Sequence, residues 1–201
     1  MKSKIIFALT LLAILSTSVS ALAGSNNELT VLAINYGVDG FAQMKEGAVI
    51  EKNGRLIGGM FRFLPGRFGL GFSLFQGFHD KNLEEYGILK EGDKVDHKFI
   101  GGYTFDFTMR VEEASFAIPY FFLSVGKAQE SIRIITADTT DDDYEDEQNS
   151  IAYGMGFGAF TVPTKSRGFV FGGEIRYLML PNFNNASGLG QAYLSLGYLF
   201  L

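Results

Sequence analysis

Large apolar and small residues alternate through Arg67–Phe78. Phe68, Leu70, Phe72 and Leu74 are large. Gly69, Gly71, Ser73 and Gly77 are small or weakly polar, and Phe75 breaks the pattern. A period of two predicts a strand with two different faces. A half-buried soluble strand alternates too, but its polar face meets bulk water and is usually charged. Here the polar face is glycine and serine. That is the pattern of a transmembrane barrel stave: aromatic toward lipid, small and polar toward a crowded lumen.

Seven more segments follow the same logic: Leu29–Val38, Arg55–Phe63, Lys98–Met109, Ala114–Gly126, Ser150–Val162, Gly168–Leu180 and Gln191–Leu201. In the fifth strand Phe116, Ile118, Tyr120 and Phe122 share a face, and Pro119 weakens it by removing a ladder donor. In the last, Ala192, Leu194, Leu196, Tyr198 and Phe200 share the outward face. A tilted strand of about 9–11 residues crosses a bilayer. The connections after strands two, four and six are short: Leu64–Gly66, Arg110–Glu113 and Pro163–Arg167. The others are long. Short turns on the periplasmic side and long loops outside are the asymmetry of outer-membrane barrels. Asn53-Gly54 is a two-residue hairpin signal that would make a ninth strand with Ala48–Lys52. Even parity favours reading Ala48–Lys52 as an extension of the first loop above the membrane. The expected fold is all-β: an eight-stranded antiparallel up-and-down transmembrane β-barrel.

The N-terminus reads as a secretory signal peptide. Lys2 and Lys4 form a basic start, Ile5–Leu15 is apolar but too short to span a bilayer, and Ala21-Leu22-Ala23 is a small-x-small cleavage site. The expected division is 1–23, removed, and 24–201, the barrel. No later apolar stretch reaches about 18 residues, so a membrane would be crossed by strands. The 201 residues include 25 glycines and no cysteine. Small soluble secreted domains often need disulfides, whereas a barrel closed in lipid holds its backbone by a ring of hydrogen bonds. A net charge of −5 without a basic patch argues against nucleic acid.

Away from the strand ends four charges stand inside the staves: Arg62, Asp106, Glu174 and Arg176, summing to zero. Each has the lumen-facing parity of its strand, and a basic residue facing lipid at mid-depth would cost roughly 2–4 kcal/mol. An eight-stranded lumen is just wide enough to be filled by side chains, so these charges are expected to form an internal network rather than a conducting path.

The chain resembles the small eight-stranded outer-membrane barrels of the OmpA-domain, OmpX and opacity-protein type. The resemblance covers Leu29–Leu201 as a pattern. Its most specific pieces are Tyr153–Phe160 (YGMGFGAF), Gly172–Leu178 (GGEIRYL) and the aromatic last strand. It implies outer-membrane localisation, lipid and lipopolysaccharide as surroundings, and contact with periplasmic chaperones and the barrel-assembly machinery during biogenesis. In such proteins the last strand is the assembly signal; here Tyr198 and Phe200 carry the register, with Leu201 following. No peptidoglycan-binding domain is expected after the barrel.

His79 and His97 bracket the second long loop, near Asp80, Glu84 and Glu85. Some barrels of this size acylate or deacylate lipid A with a rim histidine as general base, but two histidines in a charged loop are more often solvated. Asp138, Asp141, Asp142, Asp143, Glu145, Asp146 and Glu147 crowd one loop and offer oxygen ligands to hard cations. They lack the spacing of an ordered calcium loop, so a solvated loop is the plainer reading and weak cation screening the alternative. Conducting barrels generally have 16–18 strands. We therefore expect a monomeric, non-enzymatic barrel without cofactor or resident metal, with a structural or surface-interaction role in which the loops contact lipid headgroups, host surfaces or other cells. The alternatives are a lipid A-modifying enzyme and a low-conductance channel.

Overall fold

The computed structural model describes residues 29–44, 53–79, 94–111, 117–135, 144–161, 168–183 and 186–200. They form eight strands: β1 (Leu29–Met44), β2 (Asn53–Leu64), β3 (Phe68–His79), β4 (Lys94–Arg110), β5 (Ala117–Ile135), β6 (Tyr144–Thr161), β7 (Gly168–Met179) and β8 (Ala186–Phe200). Each pairs antiparallel with its sequence neighbour, and β8 pairs with β1, closing an eight-stranded barrel. Residues 1–23, expected to be a signal peptide, the Ala48–Lys52 segment, Phe116 and Leu201 lie outside the described residues.

Register fixes the barrel's shape. Ladder partners run from Phe63 through Leu70, Phe107, Leu123, Met155, Tyr177, Gly190 and Gly40 to Asn53. One circuit thus returns to β2 ten residues from its start. A stagger of that size tilts the strands by about 40° and leaves an interior that side chains can fill.

The two faces divide as lipid exposure would require. Ile34, Ile57, Leu70, Phe105, Leu123, Met155, Phe171 and Leu194 point outward and are exposed on successive strands. The lumen holds Met60, Phe75, Tyr120, Phe122, Phe160, Val170 and Leu178, all buried, together with the polar groups described below.

Ile118, Tyr120 and Phe122 share a face of β5 as expected, and the structure assigns the side that the alternation leaves open: they point into the lumen, while Phe121, Leu123 and Val125 face out. Tyr120 lies opposite Gly158 and Phe122 opposite Gly156, so each ring enters space that a side chain on β6 would fill. Asn53 and Gly54 make no tight turn: they open β2 and pair with Gly40 and Asp39 of a β1 that runs to Met44. Strands β4, β5 and β6 also run further than the apolar pattern suggests. Lys94–His97, Lys127–Ile135 and Tyr144–Asn149, read as loop, belong to strands. The backbone groups of a strand continue to pair in water even where its side chains turn polar. Pro119 keeps its place in the β5–β6 register, opposite Ala159.

Candidate functional site

Among the described residues the most organised chemistry is a charged layer across the lumen. β2, β4 and β7 supply Arg62, Asp106, Glu174 and Arg176, each fully or almost fully buried. Arg62 donates from Nη1 to Asp106 Oδ2 at 2.6 Å and from Nη2 to Glu174 Oε2 at 3.0 Å. Arg176 donates from Nη2 to Asp106 Oδ2 at 3.2 Å and to Glu174 Oε1 at 3.0 Å. Each arginine therefore touches both acids, and each acid both arginines. The strand period explains one contact: Glu174 and Arg176 are two apart on β7, so they share a face. The contacts among Arg62, Asp106 and the β7 pair join different strands and depend on register.

Neutral groups complete the layer. Asp106 also accepts from Ser73 at 2.8 Å, Thr104 at 2.9 Å and Ser124 at 2.5 Å. Glu174 accepts from the hydroxyls of Tyr120 at 2.8 Å and Tyr193 at 2.7 Å. Arg176 donates to Thr104 at 2.7 Å, and both guanidiniums reach the Ser73 oxygen. The Phe122 ring centroid lies 5.0 Å from the Arg62 guanidinium carbon and 4.8 Å from that of Arg176, within the range of a cation–π contact to each. Taking charge out of water is expensive, and such a cluster persists only when partners satisfy it. Here both acids have arginine partners and several neutral donors.

Apolar side chains pack the lumen beside this layer. Tyr120 stacks on Phe160, with centroids 5.1 Å apart. Gly71 makes room for Arg62, because a Cβ there would meet the guanidinium and its stem. The hydroxyl partners Ser73, Ser124, Tyr120 and Tyr193 are not marked as site residues by the sequence. Their only local signal is parity: Ser73 and Tyr193 alternate with the outward residues of their strands.

His79 ends β3 and His97 lies in β4, opposite Arg133 of β5; Asp80, Glu84 and Glu85 fall outside the described residues. Glu145, Asp146 and Glu147 belong to β6 rather than to a loop. Glu147 accepts from Gln129 at 3.1 Å. Asp138, Asp141, Asp142 and Asp143 lie outside the described residues. Among the described residues no group of three or more His, Cys, Asp or Glu side chains is placed to hold a metal ion. Tyr198 and Phe200 sit on the outer face of β8 with ring centroids 4.8 Å apart.

No protein-family model matches the chain, and no curated protein matches it by sequence. Solved structures do resemble it. Ail, the attachment invasion locus protein of Yersinia pestis, superposes with a TM-score of 0.57 at 18% identity, over 87% of this chain and 99% of that one. Ail in complex with the heparin analogue sucrose octasulfate gives 0.56 at 16% identity, over 87% and 99%. Neisserial surface protein A gives 0.55 at 12% identity, over 88% of this chain and 98% of that one. At these identities the likeness is one of fold: a closed eight-stranded antiparallel barrel.

Proposed function

We propose that this is a small integral outer-membrane β-barrel with a surface-interaction role and a filled, essentially non-conducting lumen. The carrying observation is the inversion of its two faces. Large apolar side chains cover the outside, while Arg62, Asp106, Glu174 and Arg176 are buried inside. Soluble monomers rarely expose a contiguous apolar patch beyond a few hundred Å², and a belt around a whole barrel is the arrangement lipid favours. Export through a signal peptide at 1–23, with 24–201 as the barrel domain, belongs to the same reading.

The fold likeness to the attachment invasion locus protein of Yersinia pestis and to a Neisserial surface protein supports a role at the cell surface. Partner choice would lie in the exterior loops; lipid headgroups, lipopolysaccharide and host or cell-surface ligands are the chemistry they would meet. Tyr198 and Phe200 would present the assembly signal to periplasmic chaperones and the barrel-assembly machinery. The protein acts as a monomer without enzymatic activity. Heat-modifiable gel migration of outer-membrane fractions tests this. A shift on boiling is expected; an unshifted protein in the soluble periplasmic fraction would overturn the reading.

A further inference from the structure

The outer wall is not uniformly covered. A groove of about 930 Å³ crosses β6, β7, β8, β1 and the start of β2, within the size range of small-molecule sites. Its floor is made of small outward residues: Gly40, Gly190 and Ala192 occupy neighbouring strands. Phe157 and Ile175 wall one end, and Asn53 stands at the other.

Register gives the groove a direction. Phe157 pairs with Ile175, Ile175 with Ala192, Ala192 with Val38, and Val38 with Arg55. Phe157 is four residues from the Thr161 end of β6, whereas Arg55 is two residues from the Asn53 end of β2. Because the strands tilt, the row climbs from the deeper part of the wall to the exterior rim. It spans four strand spacings between β6 and β2, roughly 19 Å. Arg55 is exposed at the upper end.

We propose that the groove seats one acyl chain of a phosphorylated outer-leaflet glycolipid, with its phosphate beside Arg55 and its tail running down toward Phe157. The proposal rests on the membrane reading above and adds a site to it. Continuity with the lipid-facing belt argues for an acyl chain, and the rim cation argues for an anionic head. Glycine at 190 is not demanded by the wall: an added Cβ would meet only the Gly40 carbonyl oxygen at 3.6 Å, an ordinary contact. Gly190→Leu therefore fills the groove from outside without disturbing the barrel.

Native mass spectrometry of the full-length protein, purified in mild detergent and offered diphosphorylated lipid A or phosphatidylglycerol, tests this. One lipid A per barrel is expected, with weaker retention of phosphatidylglycerol. Gly190→Leu should lower lipid A retention about tenfold or more, since several methylenes lose their seat. Arg55→Gln should lower it about fivefold, the effect of one basic group near a lipid surface. Leu70→Ala, outward on β3, should leave it unchanged. Equal retention by wild type and Gly190→Leu, equal retention of both lipids, or a two-barrel complex lost on Gly190→Leu would overturn the proposal. Heat-modifiable migration separates the two readings. A heat-modifiable wild type with no groove effect refutes the groove alone; a wild type that is not heat-modifiable refutes both.

Discussion

The outer face and the lumen are built from alternate residues of the same strands, yet they obey different rules. Outside, Ile34, Leu70, Leu123 and Leu194 need only be apolar on the proposed membrane reading, because lipid would adapt to any apolar shape. Inside, each group answers a specific partner: Gly71 yields to Arg62, Gly156 to Phe122 and Gly158 to Tyr120. One face is specified by solvent, the other by complementary packing.

That contrast can be broken at graded cost. The largest effect is expected in the charged layer. Arg62→Met leaves Asp106 and Glu174 short of a buried cation and should cost about 3–5 kcal/mol, measured by urea unfolding in lipid vesicles. A polar substitution outside comes next. Leu194→Arg, near the middle of β8, should cost about 2–4 kcal/mol in the same assay. A small change inside is smaller still but not silent. An added Cβ at Gly158 would lie 2.5 Å from the Tyr120 ring carbon Cζ, so Gly158→Ala should cost about 1–3 kcal/mol through overpacking, again by urea unfolding. The smallest expected effects are functional. His79→Ala and His97→Ala should leave lipid A unchanged by mass spectrometry, and planar-bilayer recordings of the wild type should show at most rare, small conductances.

Much of the wall is legible in the sequence because an apolar outer face and a packed inner face impose a simple period of two. The inward parity of Arg62, Asp106, Glu174 and Arg176 follows from their place in each alternation. Their mutual contacts do not, since Arg62 and Glu174 are 112 residues apart and meet only through register. β5 is ambiguous for a related reason. Both of its faces are apolar and it lacks the run of glycines that marks the lumen in β3 and β6, so alternation does not say which side faces in. The deciding glycines, Gly156 and Gly158, lie on another strand. Asn53-Gly54 is a strong local turn signal, but pairing with Asp39 and Gly40 overrides it. The upper ends of β4, β5 and β6 stay hidden because charged side chains look like loop while their backbones remain in the ladder.

The chain has no cysteine, so single-cysteine spin labels can be placed cleanly. The most direct measurement is their accessibility, in refolded proteoliposomes, at Ile34, Leu70, Leu123 and Leu194. Each label should be reached by lipid-soluble oxygen and protected from a water-soluble nickel chelate. Labels open to the chelate on all four strands would show that the apolar belt faces water, and would contradict a membrane-spanning barrel.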